Sequence, residues 1–437
     1  MKSVTMISAE LDPFCVRGGT AYAIRRLADQ LVELGIETRV LLPDWVDTSH
    51  ASGLTPLLVP IPVKMRAEVR GAPQMIQCSE FCHAAMAAFD QIENSSRSDA
   101  LIAHGDEGAM FIVLRNGDRS GGPSVFWLHS LYDPPLSDFS KEQRRLLPVE
   151  SLLASAVMMA DVVVTSLGVL KDAREFEWPN RMKELQNALT IASAEDRLLT
   201  VESIGCLPEA PIHAENRLGL GSKLGNLKNV PSRYVLFPGR PTVDKGFGIF
   251  GAIAERLRDD NIACVAVRRP EQEPKRKRPF RRLVHWLPWL NQEELTIAMR
   301  NAACTVLPSI TEAFGLSAAE SVSLGVATLY HEVGGHRALE GFPHAHRVPL
   351  TSSEREQLYG LWSDLIGTDP DSWSVWTKHE ISLRPLIDKW VEAIRSIEPR
   401  RNAASAATGN VELTAETIDA ERWGMKLVRS IANCLLP

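Results

Sequence analysis

The feature that most limits the possible fold is an alternation that occurs twice along the chain. Mostly apolar runs of four or five residues at 4–8, 38–42, 100–103, 124–128 and 162–165 are separated by loops and by stretches with helical spacing. Runs this short and this rich in Val, Leu and Ile suit strands covered on both faces, as in a parallel sheet. From Thr20 the apolar residues Ala23, Ile24, Leu27, Leu31 and Leu34 recur at helical spacing, and Gly35 ends the pattern. Strand, helix and strand in that order wind right-handed and leave the two strands parallel. A second series follows, with strands expected at 234–237, 263–267, 304–307 and 327–330 and helices at 246–258, 292–302 and 316–324. The fold class is therefore α/β, with two doubly wound, Rossmann-like domains facing each other across a cleft.

Between them, residues 213–232 mix Gly, Asn and Lys with weak periodicity and read as the link. The domains are set at 1–220 and 221–437, with a last helix over 414–436 that could pack back on the first domain. Segments 48–75 and 170–200 look irregular, like insertions, and 389–411 looks like a polar surface excursion.

Composition excludes several classes of function. At 437 residues the chain exceeds one ordinary core, and 45% apolar with 23% charged residues is a soluble mixture. A formal charge of −6 gives no case for a nucleic-acid binder. The dense basic run Lys275-Arg276-Lys277-Arg278-Pro279-Phe280-Arg281-Arg282 contains one aromatic and reads as a solvated loop, with membrane contact at most peripheral. No secretory signal opens the sequence and no apolar run is long enough to span a bilayer, so a cytoplasmic protein is expected. Seven scattered cysteines, of which only Cys78 and Cys82 are close, fit reduced thiols rather than zinc ligands.

Four sites with chemical potential fall at expected strand ends, where open α/β sheets hold ligands. Arg17-Gly18-Gly19 precedes the first helix, and two glycines allow a ligand close to the backbone. Gly239-Arg240-Pro241-Thr242-Val243-Asp244-Lys245-Gly246 offers a planar cation and a compact one before a helix, which suits a diphosphate. It lacks the spacing of a Walker loop. Pro308-Ser309-Ile310-Thr311-Glu312-Ala313-Phe314-Gly315-Leu316 places Glu312 in a loop and Glu320 on the helix beyond. There the amides of Gly315 and Leu316 are expected to be unpaired and ready for a ligand. The fourth is Gly334-Gly335-His336.

Each pattern has a plainer reading. Two glutamates can simply be solvated, a Gly-Gly pair is most often a turn, and His104 and His129 can be structural strand-end residues. His331 and His344 are expected at the surface. Glu10 and Asp12, ahead of the first glycine loop, either cap and pair locally or touch an acceptor. No Gly-x-Ser-x-Gly elbow supports a hydrolase.

Taken in order, these motifs resemble a known group. Ser8-Ala9-Glu10, Pro13-Phe14 and Arg17-Gly18-Gly19 look like the opening of bacterial glycogen and starch synthases. Gly239-Arg240 with Asp244-Lys245-Gly246, and Glu312-Ala313-Phe314-Gly315-Leu316 with Glu320, resemble the donor site of retaining GT-B glycosyltransferases. Phe126-Trp127-Leu128-His129-Ser130 and Ala103-His104-Gly105-Asp106 are similar to histidine segments of the same group. The resemblance implies a nucleotide-diphosphate sugar as co-substrate, a small-molecule or glycan acceptor, and neither metal nor bound cofactor.

By the same resemblance Arg240 and Lys245 bind the departing diphosphate, Glu312 the sugar hydroxyls beside the amides of Phe314, Gly315 and Leu316, and Glu320 the ribose. Arg17, Gly18 and Gly19 approach the phosphates from the first domain, His129 lies near the transferred sugar, and His104, Glu10 and Asp12 fall on the acceptor side. The sequence also departs from the group. Thr20-Ala21-Tyr22 follows the two glycines where glucan synthases carry an aspartate, and Ser203-Ile204-Gly205-Cys206 lacks the usual asparagine. The resemblance thus implies a transferase with another sugar or acceptor. A glucan-elongating enzyme, and an inactive nucleotide-sugar binder or regulatory partner, are the alternatives.

Overall fold

The computed structural model describes residues 2–8, 19–43, 55–59, 82–91, 98–115, 122–129, 149–166, 170, 183–201, 230–267, 283–288, 290, 292–312, 315–365, 373–397 and 429. The chain divides into two compact units, Met1–Cys206 with Asp419–Pro437, and Leu207–Ile418.

In the first unit a seven-stranded sheet runs in the order β3-β2-β1-β4-β5-β6-β7. Its strands are β1 (Ser3–Ile7), β2 (Glu37–Pro43), β3 (Thr55–Val59), β4 (Ala100–His104), β5 (Ser124–Leu128), β6 (Val162–Ser166) and β7 (Leu198–Val201). Every described pairing is parallel, with Met6 opposite Val40 on one side and Ile102 on the other. β1, β4 and β6 are buried at every position, as strands covered on both faces require. Helix 82–91 sends Cys82, Ala85 and Phe89 into a cluster with Ile7, Leu41, Leu101 and Phe111. There the rings of Phe89 and Phe111 meet edge to face at 5.5 Å.

The second unit holds a six-stranded parallel sheet in the order β10-β9-β8-β11-β12-β13. It comprises β8 (Tyr234–Phe237), β9 (Ala263–Val267), β10 (Val284–Leu287), β11 (Cys304–Leu307), β12 (Thr328–His331) and β13 (Ala345–Val348). The chain runs outward from β8 to β10, then returns to lay β11 on the other side of β8. Loops after β8 and β11 therefore leave in opposite directions, and that divergence opens a crevice at the carboxyl edge. Thr305 and Thr328, paired across β11 and β12, bond hydroxyl to hydroxyl at 3.1 Å inside the sheet.

Three expectations need correction. The segments read as irregular insertions contribute β3, the helix Lys183–Ala194 and β7, all of them parts of the first unit. Their strands are edge strands of four or five residues, too short to show a period. The start of the supposed polar excursion at 389 is instead the last part of a long helix, Trp373–Ser396, with Trp390, Val391 and Ile394 buried. His331, expected outside, is fully buried at the end of β12, while His344 is half-buried. The link at 213–229 and the last helix at 414–436 lie outside the described residues except for Arg429. Among the described residues no helix is long and apolar enough to cross a membrane.

Candidate functional site

Three loops at the carboxyl edge of the second sheet are laced to one another. The loop after β8 carries Arg240, Asp244 and Lys245 and ends at Gly246, whose φ is 72°. A Cβ on Gly246 would stand 1.9 Å from the Pro308 carbonyl oxygen, so the glycine lets this loop touch the one after β11. The Asp244 carbonyl accepts from the amides of Ile310 and Thr311 at 2.8 and 3.3 Å. In turn the Glu312 carbonyl accepts from the amide of Gly335, in the turn after β12, at 3.0 Å. The site is thereby held by backbone bonds from three directions, the rigid support a binding constellation needs.

Glu312 is the centre of this arrangement. Its Oε2 lies 2.9 Å from Lys245 Nζ, 3.4 Å from Ser309 Oγ and 3.7 Å from His336 Nε2. Asp244 Oδ2 stands 3.8 Å from the same ammonium. Burial pushes the Glu312 carboxyl up, but the Lys245 ammonium and the amide of Gly315, which donates to it, outweigh burial and hold it at about 2. The carboxylate is therefore ionised throughout the neutral range. It also takes one of the amides expected to await a ligand, since the Gly315 N–H is engaged by Glu312. Gly315 itself sits at φ 69° as the residue before the helix Leu316–Ser323, and a Cβ there would fall 2.6 Å from His336 Cδ2.

Behind Glu312 stand two histidines. His331 directs Nδ1 to the Ser309 carbonyl at 3.1 Å and accepts from the Trp390 indole N–H at 2.7 Å through Nε2. Both of its ring nitrogens are satisfied in the neutral form, and burial holds it at about 3. His336 directs Nδ1 to the His331 carbonyl at 3.1 Å, and burial lowers its pKa as well. Sequence reading set His336 in a glycine turn but had no signal for its seat beside Glu312, which depends on the 3-10 turn Gly334–Leu339.

The remaining expected site residues are placed as follows. Arg240 is half-buried in the Lys245 loop, its carbonyl accepting from the Thr242 amide at 2.7 Å. Leu316 opens the helix, and Glu320 lies further along it, half-buried, with its carbonyl accepting from the amide of Leu324. In the first unit His104 ends β4 and His129 follows β5, both buried, with Nδ1 of His104 3.0 Å from Nε2 of His129. The indole of Trp127 stacks on His129 at 5.2 Å, and burial lowers both imidazoles, His129 to about 3. Gly19 opens the helix Gly19–Glu33. Glu10, Asp12, Arg17, Gly18, Phe314, the basic run at 275–282 and the segment 203–206 lie outside the described residues.

Comparison with known proteins agrees with this geometry. Residues 225–341, which contain all three laced loops, match the model of the family "Glycosyl transferases group 1". No curated protein sequence matches the chain. Among solved structures, the catalytic domain of starch synthase IV from Arabidopsis thaliana, bound to ADP and acarbose, superposes with a TM-score of 0.63. It shares 16% identity, over 98% of this chain and 99% of that one. Sucrose-phosphate synthase from Thermosynechococcus elongatus gives 0.58 at 16% identity, over 99% and 100% of the two chains. The UDP-forming alpha,alpha-trehalose-phosphate synthase from Burkholderia xenovorans gives 0.57 at 9%, again over 99% and 100%. At such identities the likeness establishes the fold, and the family match is confined to residues 225–341. The chain thus carries a group 1 glycosyl transferase domain over residues 225–341, within two Rossmann-like units that share the GT-B fold of these glycosyltransferase structures.

Proposed function

We propose that the protein moves a sugar from a nucleotide-diphosphate donor to a hydroxyl or amine acceptor, retaining the anomeric configuration and using no metal ion. The observation that carries this reading is the Lys245–Glu312 pair, a cation and an ionised acid at 2.9 Å at the switch point of the second sheet. In this reading Lys245 and Arg240 take the diphosphate and offset the charge it gains on leaving, which is where binding energy accelerates a transfer. Glu312 accepts hydrogen bonds from the hydroxyls of the sugar, and Glu320 from the ribose. Phe314, Gly315 and Leu316 line the donor. Arg17, Gly18 and Gly19 serve the phosphates, His129 the transferred sugar, and His104, Glu10 and Asp12 the acceptor.

The ADP in the starch synthase structure supports a nucleotide-diphosphate ligand for this fold. The sequence departures at 20–22 and 203–206 favour an acceptor other than a growing glucan, such as a natural-product sugar, a cyclitol or a surface glycan. Buried free thiols at Cys82, Cys264 and Cys304 favour a reducing, cytoplasmic setting.

The test is release of nucleoside diphosphate from a panel of nucleotide sugars by wild type and Lys245→Ala. Steady release that the substitution abolishes supports a transferase. Tight binding with no release from any donor would favour the binder instead. Release that a chelator strongly inhibits would overturn the metal-free part of the reading.

A further inference from the structure

Two buried acceptors lie side by side in the second unit. His336 is fully buried, and its Nδ1 faces the carbonyl oxygen of His331 at 3.1 Å. A carbonyl can only accept, so Nδ1 carries the proton and Nε2 of the neutral ring presents a lone pair. Among the described residues that Nε2 has no hydrogen-bond partner. It stands 3.7 Å from Glu312 Oε2, which is another acceptor and too distant for a direct bond. The neighbouring His331 shows the contrast, because its Nδ1 donates to Ser309 and its Nε2 accepts from Trp390. Nor is His336 loosely held. The ring meets Tyr330 edge to face at 5.7 Å, and Gly315 leaves no room for even a methyl group against Cδ2. A buried acceptor fixed in place without a donor calls for a ligand to supply one.

We propose that His336 Nε2 accepts a hydrogen bond from a hydroxyl of the donor's sugar, beside the hydroxyl taken by Glu312, so that the two acceptors read a pair of adjacent hydroxyls. The proposal rests on the nucleotide-sugar reading above and adds to it a residue that sets which sugar is accepted. Neighbouring ring hydroxyls each carry one hydrogen to donate, and two acceptors 3.7 Å apart suit two such oxygens. A sugar lacking one of those hydroxyls, or with one turned to the other face, leaves Nε2 desolvated and unpaired. A site built to bond a hydroxyl discriminates strongly against its absence for that reason. The nucleotide and diphosphate make no contact with His336 in this scheme, so its effect is confined to the sugar.

The test uses the full chain as wild type, His336→Phe and His336→Gln, each confirmed folded by its melting transition. Each is titrated with UDP, ADP and GDP and with UDP-glucose, ADP-glucose and GDP-mannose. For the pair that wild type binds, His336→Phe should keep the Kd of the nucleoside diphosphate within about twofold and weaken the nucleotide sugar about 10- to 100-fold. His336→Gln, whose amide can place an oxygen near the Nε2 position, should recover most of that loss. Nucleotide-sugar affinity unchanged in His336→Phe overturns the proposal, and so does a parallel loss of both ligands in both variants. If wild type takes up none of the nucleoside diphosphates, the nucleotide-sugar reading itself fails and this proposal falls with it.

Discussion

Lys245 Nζ stands 2.9 Å from Glu312 Oε2, so the cation assigned to the diphosphate and the acid assigned to the sugar neutralise each other while no donor is bound. A ligand that recruits Lys245 to its phosphates must draw on that pair. Glu312→Gln removes the competing carboxylate while keeping a side chain of the same size. Binding of a nucleoside diphosphate should therefore tighten roughly three- to tenfold, while turnover of the nucleotide sugar falls by about a hundredfold. Titration and product release, run on the same preparation, check both directions. Weaker diphosphate binding in the variant would place Lys245 outside the phosphate site.

The same pair makes a prediction about stability. In wild type the Glu312 carboxyl is held at about 2 against an ordinary 4.5, so its contribution is complete above 4.5 and fades as the pH falls toward 2. Lys245→Met leaves the carboxylate buried without its ammonium, which should cost about 3 kcal/mol at neutral pH. The sign of the pH dependence should then reverse. Without Lys245, burial dominates and raises the Glu312 carboxyl, so acidification below neutrality relieves part of the variant's deficit instead of adding to it. Adding Glu312→Gln to Lys245→Met should recover most of the loss at pH 7. Thermal melts of the three proteins between pH 4 and 8 decide this.

Gly315 and His336 are coupled by contact. Gly315→Ala brings a Cβ to within 2.6 Å of His336 Cδ2 at a φ of 69°, and both effects destabilise. The backbone share should be about 1 kcal/mol and the clash should add 1–3 kcal/mol, because His336 is held by its bond to His331 and cannot retreat. In the double variant with His336→Ala only the backbone share should remain. A double-mutant cycle by denaturant unfolding measures the difference, and additive effects would mean that the ring moves aside freely.

How far this was legible in the sequence follows from what periodicity can and cannot carry. β5, β8, β9 and β11 have the bounds that the sequence predicts because each is a short, predominantly apolar run closed by a loop. The sequence sets Lys245 and Glu312, 67 positions apart, at two separate strand ends, and only the resemblance to GT-B glycosyltransferases assigns both to one donor site; the adjacency of β8 and β11 is what brings them together. His331, expected at the surface, lies in Tyr330-His331-Glu332, where nothing local marks it as buried. What buries it is Trp390, 59 residues later, and no local pattern encodes that partner. The segment after 389 differs from expectation for a related reason. Its buried face is set by packing of a helix that begins at Trp373, while its composition is dominated by the polar residues beyond Ser396. The seat of His336 beside Glu312 depends on a short 3-10 turn, which has no period to read.

Buried neutral histidines give the last prediction, and Trp390 gives it a handle. His129 and His331 are held at about 3, and burial lowers His104 and His336 too, against 6.5 for an exposed imidazole. Below 6.5 the unfolded chain takes up protons that the folded chain refuses. The stability these groups support is complete above 6.5 and drains away as the pH falls toward about 3. At pH 5 each such histidine costs up to about 2 kcal/mol, so the melting temperature should drop by several degrees between pH 7 and 5 in both units. Trp390→Phe isolates one contributor. Losing the indole N–H leaves His331 Nε2 buried without its donor, which should cost 1–3 kcal/mol at pH 7.5. The neutral ring is then less favoured in the folded protein, so the folded pKa of His331 moves up toward 6.5 and wild type loses more than the variant on acidification. The gap in stability between them should be widest above pH 7 and narrow at pH 5. A gap that stays constant would mean that the Trp390–His331 bond does nothing to hold the imidazole neutral.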